Sequence, residues 1–288
     1  MRTSRDLYPY LALLAGIVSL GFSALFVRWA HAPGAVTAMY RTGIATIVLT
    51  PFFLRRRPPT LAHLGYPIAG GLLTAFDLAL WNAGINRTAA GTATLLGNTA
   101  PLWVALYAWL FFREKLNRRF WLGLVLALSG SIVVLGSDYL RHPTFGLGDL
   151  MALSAGLFYA GYYLVTQRGR EHLDTLAYMW WMGLTCTLAL TAINIGLKSS
   201  LVDYPPASFL AFLGAGLITQ LGGYFTIGYA LGHLPASLVA PTMIAQPILT
   251  TLLAIPFLGE IPHPVQWGGT FTVLAGIYLV HRSRTPGG

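Results

Sequence analysis

The chain has 288 residues, 55% of them hydrophobic and only 9% charged, with a mean hydropathy of +0.63, whereas a soluble domain carries about 25% charged residues. That composition excludes a soluble globular protein, and 32 Gly and 17 Pro spread through apolar runs fit packed transmembrane helices better than the alternating strands of a membrane barrel. The formal charge of +9 lies in short loops between apolar segments rather than on one folded face, which speaks against a nucleic-acid partner.

A window of about 19 residues predicts ten spans. They lie near 8–27, 34–54, 65–85, 91–112, 119–136, 147–167, 174–196, 208–231, 236–258 and 264–281. Span one follows Arg2 and Arg5 and precedes Ala30-His31-Ala32, as a signal peptide would. It is longer than the roughly 7 to 15 residues of a signal-peptide core, so it is read as a retained first helix. The longest connection, around Lys198 to Pro206, leaves no room for a soluble domain.

Span two carries Arg41 and span three carries Asp77, within LLTAFDLALWNAG. An ionised Asp at mid-membrane costs on the order of 2.5 to 3.5 kcal/mol on insertion scales, so it needs a partner or a role. Counting about 1.5 Å per residue from the same outer surface puts Asp77 and Arg41 at similar depth, which predicts an interior-facing pair. Three readings of it stand: a structural ion pair; a pair that meets the carboxylate and ammonium of a zwitterionic substrate or takes part in proton coupling; or a protonated, unpaired Asp77. Trp81 stands one turn from the acid on the same face.

Span four contains GNTAPLWVALYAWLFFRE, with Pro101 near its middle, and span nine contains Pro247 in the same setting. Each proline deprives the carbonyl four residues earlier, at Gly97 or Met243, of its usual donor. Unpaired carbonyls are tolerated in lipid only where protein or a wet cavity satisfies them, so Gly97, Pro101, Met243 and Pro247 are read as hinges beside a cavity, with simple packing kinks as the alternative. Thr94, Asn98, Pro101, Ala105 and Ala108 form a small-to-polar stripe on span four, and Thr242, Gln246, Thr250 and Leu253 form another on span nine. Span eight offers Gly216, Thr219, Gly223, Thr226 and Ala230, with Gln220 and Tyr224 beside them. Tyr159 and Tyr163 on span six, with Trp81 and Tyr224, are candidates for stacking on a planar side chain. Trp109, Phe111, Phe112, Trp121 and Trp267 are read as lipid-facing or interfacial.

Glu114 and Glu260 follow spans four and nine and are expected to form structural joints, with Asn117 and His263 capping the next helices. Gly123, Ala127 and Ser131 on span five, and Gly268, Thr272 and Gly276 on span ten, predict tight helix packing or a homodimer contact. With the N-terminus inside, 13 of the 18 Lys and Arg residues face the cytoplasm and 4 face outward, with Arg41 left within a span. The positive-inside rule then sets both termini in the cytoplasm. Cys186, alone in the chain, reads as a small buried hydrophobe and builds neither a disulfide nor a Cys-based metal site.

The chain also repeats itself. Pro101, Phe111, Glu114, Trp121, Gly123 and Gly130 recur 146 residues later as Pro247, Phe257, Glu260, Trp267, Gly269 and Gly276. Gly16, Gly21, Met39 and Gly43 recur 140 residues later, and at that offset Tyr159 and Tyr163 match Ser19 and Ser23. Two units of five spans each, 1–140 and 141–288, must enter the membrane from opposite sides, the inverted-repeat plan of many secondary transporters.

Ten spans, a duplicated five-helix unit, and a mid-helix proline followed by F-x-x-E and a Gly-spaced helix resemble the drug/metabolite transporter superfamily, specifically its EamA-type exporters. One departure is Phe111-Phe112-Arg113-Glu114 in the first unit where the second reads Phe257-Leu258-Gly259-Glu260. The resemblance implies export from the bacterial inner membrane, with exporters of aromatic and other amino acids as the nearest comparison. Residues and resemblance together lead to an all-α secondary transporter working by alternating access. Its expected substrate site is Trp81, Asp77, Arg41, Asn98, Tyr159, Tyr163, Tyr224 and Gln246, with no cofactor or metal. The expected partners are an amino acid or similar metabolite and the lipid bilayer, with a proton and a second copy of the chain as further candidates. The scattered histidines and the lack of HExxH or GxSxG speak against a membrane enzyme. Broad drug or metabolite efflux, or a channel or lipid scramblase, are the remaining alternatives.

Overall fold

A computed structural model describes residues 4–56, 59–85, 87, 95–135, 145–258 and 264–283. The described residues form helices joined by turns and short loops, with no strand among them. In chain order the α-helices are α1 (Ser4–Gly21), α2 (Ser23–Ala30), α3 (Gly34–Leu54), α4 (Gly65–Ile85), α5 (Ala100–Leu110), α6 (Arg118–Leu135), α7 (Leu147–Arg170), α8 (Thr175–Gly196), α9 (Pro206–Gly214), α10 (Phe225–Leu231), α11 (Ala236–Thr242), α12 (Gln246–Leu258) and α13 (Pro264–Arg282). A π-helical stretch, Ala215–Tyr224, joins α9 to α10, and a 3-10 turn, Met243–Ala245, joins α11 to α12. Where the ten expected spans lie within the described residues they fall largely on these helices. Among the described residues six stretches are long and apolar enough to cross a membrane: Leu7–Ala30, Gly34–Leu54, Leu61–Gly84, Thr175–Gly196, Pro206–Leu231 and Ala236–Phe257, with Leu95–Leu110 a shorter apolar helix.

Polar residues at the helix starts supply the missing acceptors. Asp174 caps α8 by accepting from Leu176 N at 2.9 Å and Ala177 N at 3.1 Å. Asn117 accepts from Phe120 N at 2.9 Å, the capping expected of it. His263 and Glu260 lie outside the described residues. The end of α2 is turned by His31, which adopts a left-handed conformation at φ 45° and so leads the chain away toward α3.

The helices pack in two groups. Lengthwise contacts join α4 to α7, α8 to both α3 and α4, and α1 to the π stretch, around a core of Tyr162, Tyr163, Tyr178, Met179 and Met182. To one side, α6 and α13 run against each other over Phe120, Leu124, Val273 and Val280. Small residues let their backbones meet: a Cβ on Gly123 would lie 2.7 Å from Gly276 O, and one on Gly269 would lie 2.9 Å from Gly130 O. Gly123, Ala127, Ser131 and Gly276 thus serve packing inside one chain. Of Gly268 and Thr272, expected on the same stripe, the first is exposed and the second half-buried, and Gly269 and Val273 take their place. The reason is helical pitch: steps of three and four residues keep to one face, while repeated steps of four drift off it.

Candidate functional site

Both proline-bearing spans are interrupted, and the interruption comes just before the proline. In the first, Asn98 and Thr99 form a turn between a short helical piece at 95–97 and α5, so that buried Pro101 sits in the first turn of a new helix, where its missing N–H does no harm. In the second, Pro247 is the second residue of α12, after the 3-10 turn. The carbonyls left over meet protein. Gln246 N donates to Met243 O. The carbonyls of Leu96 and Gly97 pack onto α7 at Gly156, where an added Cβ would lie 3.0 Å from each, and Thr99 Oγ1 donates to Leu96 O at 2.6 Å. The Gly97 carbonyl therefore faces α7. Pro101, Met243 and Pro247 are buried behind the site rather than lining it.

Beside these breaks lies a cavity of about 150 Å³. It collects side chains from most of the bundle: Arg41 from α3, Asp77 and Trp81 from α4, Asn98 from the broken span, Tyr159 from α7, Tyr224 from the π stretch and Gln246 from α12, with Gly97 in the wall. Seven of the eight residues expected at a substrate site meet here. The eighth, Tyr163, lies one turn along α7, fully buried, and its hydroxyl donates to Tyr159 Oη at 2.9 Å. Tyr159, Tyr162, Tyr163 and Tyr224 form a continuous aromatic floor, with Tyr162 5.8 Å from Tyr159 and 5.6 Å from Tyr224 between ring centres. Trp81 leans on the broken span, where a Cβ on Gly97 would come within 3.1 Å of its Cδ1.

Asp77 and Arg41 share the cavity but do not form the expected contact: no N–O distance between them is within ion-pair range. Both are buried, at 8% and 6% exposure. Arg41 Nη1 instead donates to Ser23 Oγ at 3.2 Å, and its Cζ stands 5.3 Å from the centre of the Tyr224 ring, a cation–π distance. Its Nε and Nη2 have no partner. The Asp77 carboxylate has no hydrogen-bond partner among the described residues. Depth along the membrane axis was inferable from residue counts; the rotation of α3 that turns the guanidinium toward Ser23 was not.

Polar residues absent from the expected set also line the cavity: Ser23, Thr37 and Asn82. Ser23 had a signal, since it is the repeat mate of Tyr163, and Asn82 had one in its place beside Trp81 on the α4 face. The small-residue stripe of span eight, by contrast, is for packing. Gly16 of α1 is so close to Thr226 and Ile227 that a Cβ would lie 2.9 and 2.7 Å from them, and only Ala215 and Tyr224 of that region reach the cavity. On span nine, Thr242 pairs with His281 Nε2 at 2.8 Å and Thr250 donates to Gly21 O at 3.1 Å. Thr94 lies outside the described residues.

Beyond the C-terminal end of α5, hydrogen bonds tie α7, α10 and α11 to the chain around Glu114. Ser237 Oγ donates to Glu114 Oε2 at 2.6 Å, Ala236 N donates to Gln167 Oε1 at 2.6 Å, and Arg170 donates to Gly228 O at 3.0 Å and to Leu173 O. Glu114 is thus a joint, and one of its partners is the Ser237 hydroxyl on α11.

Sequence comparison converges on the same kind of molecule. The chain is 26% identical over 213 residues to the probable terminal-alkyne amino-acid exporter of Streptantibioticus cattleyicolor, covering 73% of this chain and 70% of that protein. It is 25% identical over 293 residues to the pseudopaline exporter CntI of Pseudomonas aeruginosa, covering 98% and 99%. Its match to the uncharacterized transporter YwfM of Bacillus subtilis, at 28% identity over 192 residues, takes in 67% of this chain and 64% of that protein's length. A solved crystal structure superposes with a TM-score of 0.78 over 96% of this chain and 99% of the other at 19% identity, a likeness of fold alone. The EamA-like transporter family model matches residues 7–136 and again residues 146–282. Two such matches, taking in nearly the whole chain, settle its kinship: it belongs to the EamA-like transporter family.

Proposed function

We propose that this transporter exports amino acids, favouring aromatic or large apolar side chains, together with related small metabolites. It works by alternating access between two inverted five-helix units, 1–140 and 141–288, in a bacterial inner membrane with both termini in the cytoplasm. One observation carries the reading: an acid and a guanidinium, neither paired with the other, share a cavity with Trp81, Tyr159 and Tyr224. A zwitterion with a planar side chain offers a charge to each and a face to the rings. The names of two relatives, an amino-acid exporter and a pseudopaline exporter, support small-metabolite export and differ in cargo.

In this orientation the cavity lies toward the outer ends of α2 and α4, near Val27 and Asn82, and the Ser237–Glu114 tie lies at the cytoplasmic end. Gly97, Pro101, Met243 and Pro247, at the two helix breaks, are the hinges of the cycle. Counterflow in proteoliposomes across a panel of amino acids and unrelated drugs tests the proposal. Amino acids are carried, and Trp81→Ala weakens the aromatic ones most. Transport of drugs with no amino acid carried would refute it. If Asp77→Asn leaves transport and its pH dependence untouched, Asp77 has no part in binding or proton coupling.

A further inference from the structure

We propose that Arg41 is the anchor for a substrate carboxylate, received along the Nε–Nη2 edge of its guanidinium, so that the cargo is restricted to molecules with a free carboxylate. The inference rests on the export reading above and narrows it. The fold already occupies the other parts of this side chain: Nη1 is held by Ser23 Oγ at 3.2 Å, and one region of the cation lies over Tyr224. Left over, buried and without partners, are Nε and Nη2. These two nitrogens share one edge of the planar group, with N–H bonds side by side, and that edge matches the two oxygens of a carboxylate.

Burying two charged donors without acceptors is costly, so these nitrogens are suited to receive an acceptor from a ligand. Asp77, the acid on the same cavity wall, does not fill it. A single water supplies one acceptor oxygen where a carboxylate supplies two aligned ones. A phosphate would also fit the fork, but it would bring up to two negative charges against the single cation of Arg41. A carboxylate with a neighbouring ammonium brings no net charge, and it offers Asp77 a hydrogen-bond donor. The Nε–Nη2 edge is covered in this state, so a rotation of the Arg41 or Tyr224 side chain precedes the contact.

The test is counterflow of radiolabelled L-phenylalanine in proteoliposomes, competed by L-phenylalanine, L-phenylalaninamide and 3-phenylpropionate. Assayed at about pH 6, below the α-amino range, the amide keeps the ring and the ammonium and replaces the carboxylate by a neutral carboxamide with one acceptor oxygen. It competes at least about tenfold more weakly than the acid, the loss of a charge-assisted fork, while 3-phenylpropionate still competes. Arg41→Lys keeps the charge and removes the fork, and it collapses the acid-to-amide ratio toward one. Ser23→Ala, which frees Nη1, lowers that ratio by a smaller factor. A wild-type amide that competes within about twofold of the acid overturns the anchor and leaves the exporter reading standing, and this arm needs no variant to fold. An unchanged ratio in a monodisperse Arg41→Lys protein overturns the anchor as well. If no amino acid of the panel counterflows, both readings fall together.

Discussion

Replacing Ser237 with alanine removes one hydrogen bond at the end of the bundle remote from the cavity, and its consequence can be sized. The bond runs 2.6 Å from a fully buried hydroxyl to a carboxylate oxygen of Glu114. Hydrogen bonds to charged groups contribute about 1.5 to 3 kcal/mol, and because Glu114 is only half-buried the lower end applies. A loss of about 1.4 kcal/mol changes an equilibrium tenfold. The Gln167 and Arg170 contacts remain, so this end loosens rather than falls apart. The assay is thiol labelling: in a Cys186→Ala background, with Ala215→Cys placed in the cavity wall, a membrane-impermeant maleimide is added from the Glu114 side of oriented vesicles. Ser237→Ala raises the labelling rate about tenfold, in proportion to the open population, and Ser237→Thr, which keeps the hydroxyl, leaves it near the parent value. An unchanged or slower rate in Ser237→Ala refutes the idea that this bond holds that end of the bundle together.

Other substitutions probe the packing and the cavity floor. Gly130→Ala places a methyl 2.6 Å from Val273 N and 2.7 Å from Gly269 O, backbone atoms that cannot rotate away; it lowers stability by about 1 to 3 kcal/mol and thermal melting in detergent drops, whereas Gly268→Ala, with nothing within 4 Å, melts as the parent does. Asn194 donates to Ala35 O at 3.0 Å and Leu190 O at 2.9 Å while its Oδ1 is buried without a partner. Hydrogen bonds between membrane helices average about 0.6 kcal/mol, so Asn194→Leu changes the melting midpoint little, and a large loss would show that this bond fixes α3 against α8. Tyr163→Phe removes the donor to Tyr159 and weakens L-phenylalanine counterflow by about 2- to 10-fold with an unaltered melting curve, consistent with one net hydrogen bond, and an unchanged half-saturation concentration would exclude Tyr163 from positioning the floor.

The site was legible in the sequence where lipid makes polarity expensive. Arg41, Asp77, Asn98 and Gln246 stand out because a polar or charged group inside an apolar span must turn toward protein or water, and all four line the cavity. Tyr163 was placed one layer too near, because residues four apart share a helix face but not a distance from its neighbour. Ser23 and Asn82 went unnoticed because small hydroxyls and a lone amide occur throughout membrane helices as packing and back-bonding groups; Asn82 Nδ2 indeed donates to Leu78 O at 2.6 Å.

The sequence alone determined the helical class, the places where apolar runs begin and end, the two interrupted spans, and the position of each polar residue along its span. All of these follow from composition and from a fixed rise per residue, which are properties of one chain read along one axis. Only the tertiary structure decided rotation about that axis. It turned Arg41 to Ser23 instead of Asp77, aimed the Gly97 carbonyl at Gly156, and set Gly269 rather than Gly268 against Gly130. Rotation is chosen by close packing between helices, where a few tenths of an ångström decide which faces meet.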